Sequence, residues 1–140
     1  MSHPLNGAAL LAEVGTSANG ALILFVGTVR DVNDGRAVIG IEYSAYTEMA
    51  ERELASIVAE TAERFGTADI VVEHRLGALA LGDASVAIAI GHPRRAAAYD
   101  ASRHLLEELK RRLPVWKREG YADGSRGWVN QSSPDAPAYR

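Results

Sequence analysis

The strongest constraint on this chain is the order in which its hydrophobic periodicity switches. From Val38 onward it reads strand, helix, strand, strand, helix, strand. Val38–Tyr46 alternates Ile39, Ile41 and Tyr43, the spacing of a strand with one buried face. Leu54, Ile57, Val58, Ala62 and Phe65 then recur at helical spacing. Thr47 is the expected N-cap of that helix, Glu48 and Glu51 lie in its first turn where the helix dipole favours acids, and Gly66 stops it. Strands over roughly 69–76 and 84–90 follow, joined through Gly82-Asp83. A long helix is predicted from about Pro93 to Leu113. Proline opens its first turn, Ala98, Ala101, Leu105 and Leu109 form its core stripe, and Pro114 ends it. One or two short strands fill 115–130. Upstream, Asn6 caps a short helix carrying Leu10, Leu11 and Val14, a buried strand runs from Ala21 to Val29, and Asn33, Asp34 and Gly35 make a hairpin-type turn. The expectation is an α+β fold. It has a ferredoxin-like βαββαβ core, an added N-terminal hairpin (α/β-hammerhead-like), and helices on one face of a mainly antiparallel sheet.

Composition narrows what such a fold can do. The chain has 140 residues, 47% of them hydrophobic, enough for one core. One domain is expected over residues 1–131, with Ser132 to Arg140, rich in Ser, Pro and Ala, as a flexible tail. Net charge is -3, which argues against a general nucleic-acid binder. There is no cysteine, so disulfides, thiolate metal sites and a cysteine nucleophile are excluded. Any sulfur chemistry must use sulfur brought by another molecule. The four histidines have no paired spacing, and no metal site is expected. Residues 1–4 do not open a secretory signal, and the uncharged stretch Val14–Val29 is broken by Thr16, Ser17, Asn19 and Gly20. A cytoplasmic protein without a membrane span is the expectation.

The modest net charge hides an asymmetry. Between Arg94 and Arg118 stand eight basic and three acidic residues, +5, against -8 for the rest of the chain. A basic island in an acidic protein points to a local anionic ligand. Arg94 and Arg95 fall in the first helical turn, where free backbone N–H groups already favour an anion, and guanidinium groups add bidentate phosphate contacts. Arg103 and Lys110 share one helix face, with Arg95 on the same broad side. The competing reading is a solvated helix face with Glu107–Arg111 side-chain pairing. Lys117 follows Trp116 just past the proline break. A lysine desolvated there loses proton affinity from its ordinary value of about 10.4 and becomes a base or nucleophile; the competing reading turns it to water. Arg30 ends the first strand at the mouth of a turn, a common ligand position.

Four stretches together resemble the molybdopterin synthase large-subunit family. They are Gly20-Ala21 through Phe25-Val26-Gly27-Thr28-Val29-Arg30, the Glu42-Tyr43 to Met49 region including Tyr46, His74-Arg75-Leu76-Gly77-Ala78-Leu79-Ala80-Leu81-Gly82-Asp83, and Leu109 to Glu119 followed by Trp128-Val129. The third looks like an HRxGxLxxGD-type signature. The resemblance runs in order from about Gly20 to Val129. It implies sulfur transfer from the thiocarboxylated C-terminal glycine of a small ubiquitin-like subunit to cyclic pyranopterin monophosphate, giving the molybdopterin dithiolene. It implies a homodimer of large subunits inside a heterotetramer, with no cofactor of its own. By the same resemblance Lys110 and Lys117 are catalytic. Thr28, Val29, Arg30, Arg94, Arg95, Arg118 and Glu119 bind substrate.

One position departs from that pattern. Where the family has His then Arg at the helix start, this chain has Arg94-Arg95, with His92 two residues earlier. Either His92 reaches the same space from a shifted loop or an arginine substitutes, and arginine cannot shuttle protons near pH 7. His74 reads as structural, hydrogen-bonded in the sheet. Two rival functions stand beside the enzyme: a module binding a nucleotide or cyclic phosphate, and a domain binding a ubiquitin-like partner without chemistry. RNA binding gains nothing from 6% aromatic residues.

Overall fold

In a computed structural model the described residues are 4–33, 35–122 and 124–130, without the side chains of residues 33 and 128–130. The expected flexible tail, and Asp34 of the expected turn, lie outside them. The elements in chain order are α1 (Gly7–Val14), β1 (Ala21–Thr28), β2 (Val32–Asn33), β3 (Arg36–Ala45), α2 (Thr47–Phe65), β4 (Ile70–His74), β5 (Gly77–Ala80), β6 (Ala84–His92), α3 (Arg95–Arg112), β7 (Val115–Tyr121) and β8 (Arg126–Asn130). The fold is α+β with antiparallel strand pairing throughout. The expected strand–helix–strand–strand–helix–strand order is present, but its strands divide between two sheets. β6 pairs with both β1 and β4 in the order β1-β6-β4, while β3 and β7 pair with each other in β2-β3-β7-β8, where β5 also joins β3. The early strand β1 therefore occupies a place beside β6 that a single-sheet arrangement would give to another core strand.

The two sheets share one core. Ile57 of α2, Leu105 and Leu109 of α3, Val86, Ile88 and Ile90 of β6, and Ile41, Tyr43 and Val115 of the second sheet are all buried in one cluster. The predicted stripe Ala98, Ala101, Leu105 and Leu109 is buried in full. Truncating Leu105 to alanine is expected to cost roughly 2–5 kcal/mol. The opposite face of the first sheet carries α1. Leu10 and Val14 pack there on Ala87 and Ala89. That approach needs Gly91, where a Cβ would collide with the Val14 carbonyl and the Asn19 side chain. Asn19 then donates to the Val14 carbonyl and to Asp69, fastening the loop after α1 to the sheet.

Local signals explain most boundaries. Asn6 caps α1 by accepting the Ala9 N–H, and Gly66 closes α2 in the left-handed conformation at φ 69°. Three expectations change. Thr47 is the first residue of α2 rather than its cap; Tyr46 holds the cap position without a side-chain hydrogen bond. Pro93 precedes the α3 cap, Arg94, instead of lying in the first turn. Among the described residues the ion pairs along α3 are Arg103–Glu107, Glu108–Arg111 and Glu108–Arg112 rather than Glu107–Arg111.

Candidate active site

The long helix α3 separates the basic residues that its sequence groups together. It follows β6 through the short link His92–Arg94 and packs back along β6 and β1. Arg95 and Lys110 share a face but stand fifteen residues apart on a rigid rod, a separation of about 22 Å. The sheet beneath repeats that polarity. Ala21 pairs with His92 at one end and Thr28 with Ala84 at the other, about 27 Å apart at strand rise. Arg94 and Arg95 therefore lie at one end of the molecule. Thr28, Val29, Arg30 and Lys110 lie at the other. Within one chain, Arg94 and Arg95 are not brought together with Arg30 and Lys110.

At the second end, the segment after β1 is held by its backbone. Thr28 closes β1 beside a register shift and is exposed. Val29 is buried, its N–H donates to the Asp83 carbonyl (3.0 Å), and its carbonyl accepts the Gly82 N–H (3.0 Å). Asp31 accepts the Val38 N–H (2.8 Å). Arg30 lies between these anchors with its side chain exposed. All of Val29's hydrogen-bonding capacity toward this turn is spent on structure, so Arg30 is the member of the trio that offers charge to a ligand.

Strand β7 supplies the rest, and its alternation sorts the segment 117–119 into two faces. Val115, Lys117, Glu119 and Tyr121 point inward; Trp116, Arg118 and Gly120 point outward and are half-buried. Lys117 is 7% exposed and Glu119 is 1% exposed, two opposite charges on one buried face. Across the sheet Lys117 stands opposite Tyr43 and Glu119 opposite Ile41. Burying either charge alone would cost several kcal/mol, so a lysine and a glutamate placed this way imply mutual compensation. Arg118 goes the other way, donating to Glu42 at 3.0 Å and lining an outer trough of about 440 Å³ with Gly40, Gly120, Ser125 and Arg126. Lys110, half-buried in the last turn of α3, precedes Lys117 by seven residues across the Pro114 break, so their Cα atoms are at most about 19 Å apart. A second cleft, about 330 Å³ and mostly apolar, is lined by Leu54, His74, Leu76, Leu113 and Val115, the last two lying between Lys110 and Lys117 in sequence.

His74 flanks that cleft. It meets the Tyr43 ring edge-on at 5.0 Å and donates from Nδ1 to the Arg75 carbonyl. Burial pushes its pKa down to about 4, against the opposing effect of that backbone bond. It is a neutral structural histidine, as the strand signature implied. Much of the remaining basic island is also structural. Arg112 bridges α3 to α2 through Glu53 (2.6 Å) and Glu60 (2.7 Å), which raises its pKa further above the ordinary arginine value.

At the first end, His92 is committed as well. Its Nδ1 accepts the Arg94 N–H (2.9 Å), so Nε2 carries the proton and donates to the Phe65 carbonyl (2.8 Å). With 8% exposure and both nitrogens engaged, it caps α3 and ties it to the end of α2. The reading in which His92 reaches the ligand space from a shifted loop fails. Arg94 and Arg95 remain exposed beside that cap. Sequence reasoning missed the Tyr46–Trp116 edge-on pair (5.0 Å) and the Glu42–Arg118 pair. Both join residues on separate elements, and only the β3–β7 register, absent from local periodicity, brings them together.

The family model described as MoaE protein matches residues 1–112. The molybdopterin synthase catalytic subunit of Bacillus subtilis is 38% identical over 126 residues, spanning 90% of this chain and 80% of that protein. A crystal structure of molybdopterin synthase from Staphylococcus aureus superposes with a TM-score of 0.85 at 32% identity, covering 91% of this chain and 93% of that one. A complex of subunits 1 and 2 of molybdopterin-converting factor from Helicobacter pylori shares the fold, with a TM-score of 0.71 at 19% identity over 99% of this chain and 92% of that one.

Proposed function

Because this chain belongs to the MoaE protein family of molybdopterin synthase catalytic subunits, we propose that it transfers sulfur to cyclic pyranopterin monophosphate in molybdenum cofactor biosynthesis. The donor is the thiocarboxylate on the C-terminal glycine of a small ubiquitin-like subunit. The observation that carries this reading is Lys117, a lysine kept inside the fold beside Glu119 and at the same end of the molecule as Lys110 and the exposed Arg30. An ammonium inside the fold acts more strongly on nearby developing charge than one in water.

In this reading Arg30 holds the phosphate. In each of two additions the thiocarboxylate sulfur bonds to a carbon of the pterin side chain as a C–O bond there breaks. One oxygen leaves as water and the other stays on the phosphate as its ring opens. Water then cleaves the bond from sulfur to the donor's carbonyl carbon, leaving a carboxylate on the donor and the sulfur on the pterin. Lys110 and Lys117 neutralise the negative charge that develops and move protons. Glu119 balances and orients Lys117 rather than touching substrate, consistent with its burial. The apolar cleft walled by Leu113 and Val115 is the space into which the donor's glycine end would extend. The subunit pairing in the Helicobacter pylori complex supports a small-protein partner of this kind. Arg94 and Arg95, too distant to serve the same phosphate from within the chain, would serve it from a second copy. A homodimer of large subunits carrying two small ones, a heterotetramer, follows. No helix among the described residues is long and apolar enough to cross a membrane, and we place the reaction in the cytoplasm.

The test is dithiolene formation from cyclic pyranopterin monophosphate and thiocarboxylated small subunit. Lys110→Ala is expected to abolish product while leaving folding and small-subunit binding intact. Near-normal product from that variant would remove Lys110 from the mechanism. Product formation without the loaded donor would instead favour a different chemistry altogether.

A further inference from the structure

The signature His74 to Asp83 does more than build a strand and a turn. Its last residues form a tight turn in which the Asp83 carboxylate accepts the Ala80 N–H (2.9 Å) and the Asp83 N–H donates to the Ala80 carbonyl (3.1 Å). Gly82 takes φ 82° there, a conformation that side chains other than glycine's rarely adopt. The same turn grips the segment after β1, since Gly82 and Asp83 make both backbone bonds to Val29. Beneath it lies Arg75. Its guanidinium is 3.7 Å from the Asp83 carboxylate and only 18% exposed, against 39% for Asp83. Its backbone N–H donates to the Ser85 carbonyl, and the Ser85 hydroxyl donates to the Gly27 carbonyl, again at the end of β1. Arg75 Nε has no hydrogen-bond partner among the described residues. An arginine is thus held largely out of water at the cost of an unsatisfied donor. That placement needs a purpose beyond solubility.

Three of these contacts, the two backbone bonds to Val29 and the Ser85 bond to Gly27, end on the segment immediately before Arg30. We propose that Asp83, oriented by Arg75, is a positioning residue for Arg30: the pair fixes the 80–83 turn, and the turn fixes where the Arg30 guanidinium meets the substrate phosphate. This rests on the reading of Arg30 given above. A displaced phosphate-holding group weakens ground-state and transition-state binding alike, which raises KM and leaves kcat nearly unchanged. A turn that merely stabilised the fold would not act selectively on substrate affinity.

The experiment is a double-mutant cycle in the loaded heterotetramer, reading KM for the pterin phosphate, kcat and Tm separately. Asp83→Ala is expected to raise KM about tenfold with kcat within about twofold. Asp83→Asn, which keeps an acceptor for the Ala80 N–H but loses the charge facing Arg75, should recover part of that loss. In an Arg30→Ala background, Asp83→Ala should raise KM no further, because the group it positions is gone. Fully additive effects would overturn the proposal, as would a fall in Tm with KM unchanged. If Arg30→Ala itself leaves KM unchanged, the phosphate-binding reading of Arg30 fails, and the positioning role fails with it. An effect of Arg30→Ala combined with additivity sinks only the positioning role.

Discussion

The two ends of α3 carry similar charge on a similar face, yet the fold uses them differently. At the N-terminal end, Arg94 and Arg95 are exposed and the neighbouring histidine is consumed as a cap between Arg94 and Phe65. At the C-terminal end, cations are drawn inward: Lys117 into β7, Arg112 into a bridge with Glu53 and Glu60, and Lys110 into a half-buried position. Buried charge demands compensation and so is placed with purpose, whereas exposed charge is cheap. A basic island in sequence is therefore not one site. Here it is a set of inward-drawn cations at one end and an exposed arginine pair about 22 Å away along the helix.

The sharpest way to break that contrast is complementation. Lys117→Met and Arg95→Ala are each expected to lower dithiolene formation, Lys117→Met by roughly a hundredfold or more. If the two ends meet only across a dimer, a mixed dimer holding one copy of each variant regains one intact site and about half of wild-type turnover. Mixed dimers as inactive as the separate variants would show that both ends serve a single chain, whereas an Arg95→Ala dimer as active as wild type would show that Arg95 serves none. The readout is product formed by dimers purified through two different affinity tags.

Much of this was legible in the residues alone. Helix lengths, the core stripe of α3, the Asn6 and Gly66 ends and the buried strands all follow from periodicity and capping, which are local. The candidate residues Arg30, Lys110 and Lys117 came from charge placement and from resemblance to a family. What sequence could not give was long-range. The pairing of β3 with β7 divides Lys117 and Glu119 from Arg118, although the three are adjacent in the chain. The return of α3 along β6 and β1 brings Lys110 to the Thr28 end of the sheet and leaves Arg95 at the other, a placement that helical phase alone does not contain. β5 was missed because Gly77-Ala78-Leu79-Ala80 has little strand character of its own and is recruited by β3. His92 was ambiguous because a cap built from a side chain two residues upstream has no periodic signature.

Two histidines sharpen the contrast through stability rather than rate. His74, beside the Lys117 end, is neutral in the fold with its pKa pushed down to about 4 by burial. In the unfolded chain it titrates near 6.5, so below that pH the unfolded state binds the proton first. Stability from His74 is therefore complete above about pH 6.5 and is lost as pH falls toward 4, by up to about 3 kcal/mol. Urea titrations between pH 7 and 4 should show this loss, and His74→Phe should flatten it; an unchanged slope in the variant would mean that other groups set the acid limit. His92, at the far end, acts through two hydrogen bonds. His92→Ala is expected to cost about 1–3 kcal/mol in urea titrations at pH 7 while sulfur transfer per folded molecule stays unchanged. A loss of turnover without a loss of stability would return His92 to the chemistry.

The smallest effect tests whether the basic residues at the C-terminal end of α3 really divide into structural and chemical groups. Arg112 contacts Glu53, Glu60 and Glu108, yet its side chain keeps 27% exposure. Solvent screens such pairs, so Arg112→Ala is expected to remove only about 1 kcal/mol, a fall in Tm of about 3–5 °C, with a smaller difference at high salt. Lys110 lies two residues earlier on the same turn, yet its removal is expected to stop the reaction rather than to loosen the fold. Full-rate sulfur transfer by Arg112→Ala at reduced Tm would separate the clasp between α2 and α3 from the reacting groups. A collapse of turnover at unchanged Tm would instead make the whole last turn of α3 part of the substrate site, and the inward-drawn cations there would need a single, shared explanation.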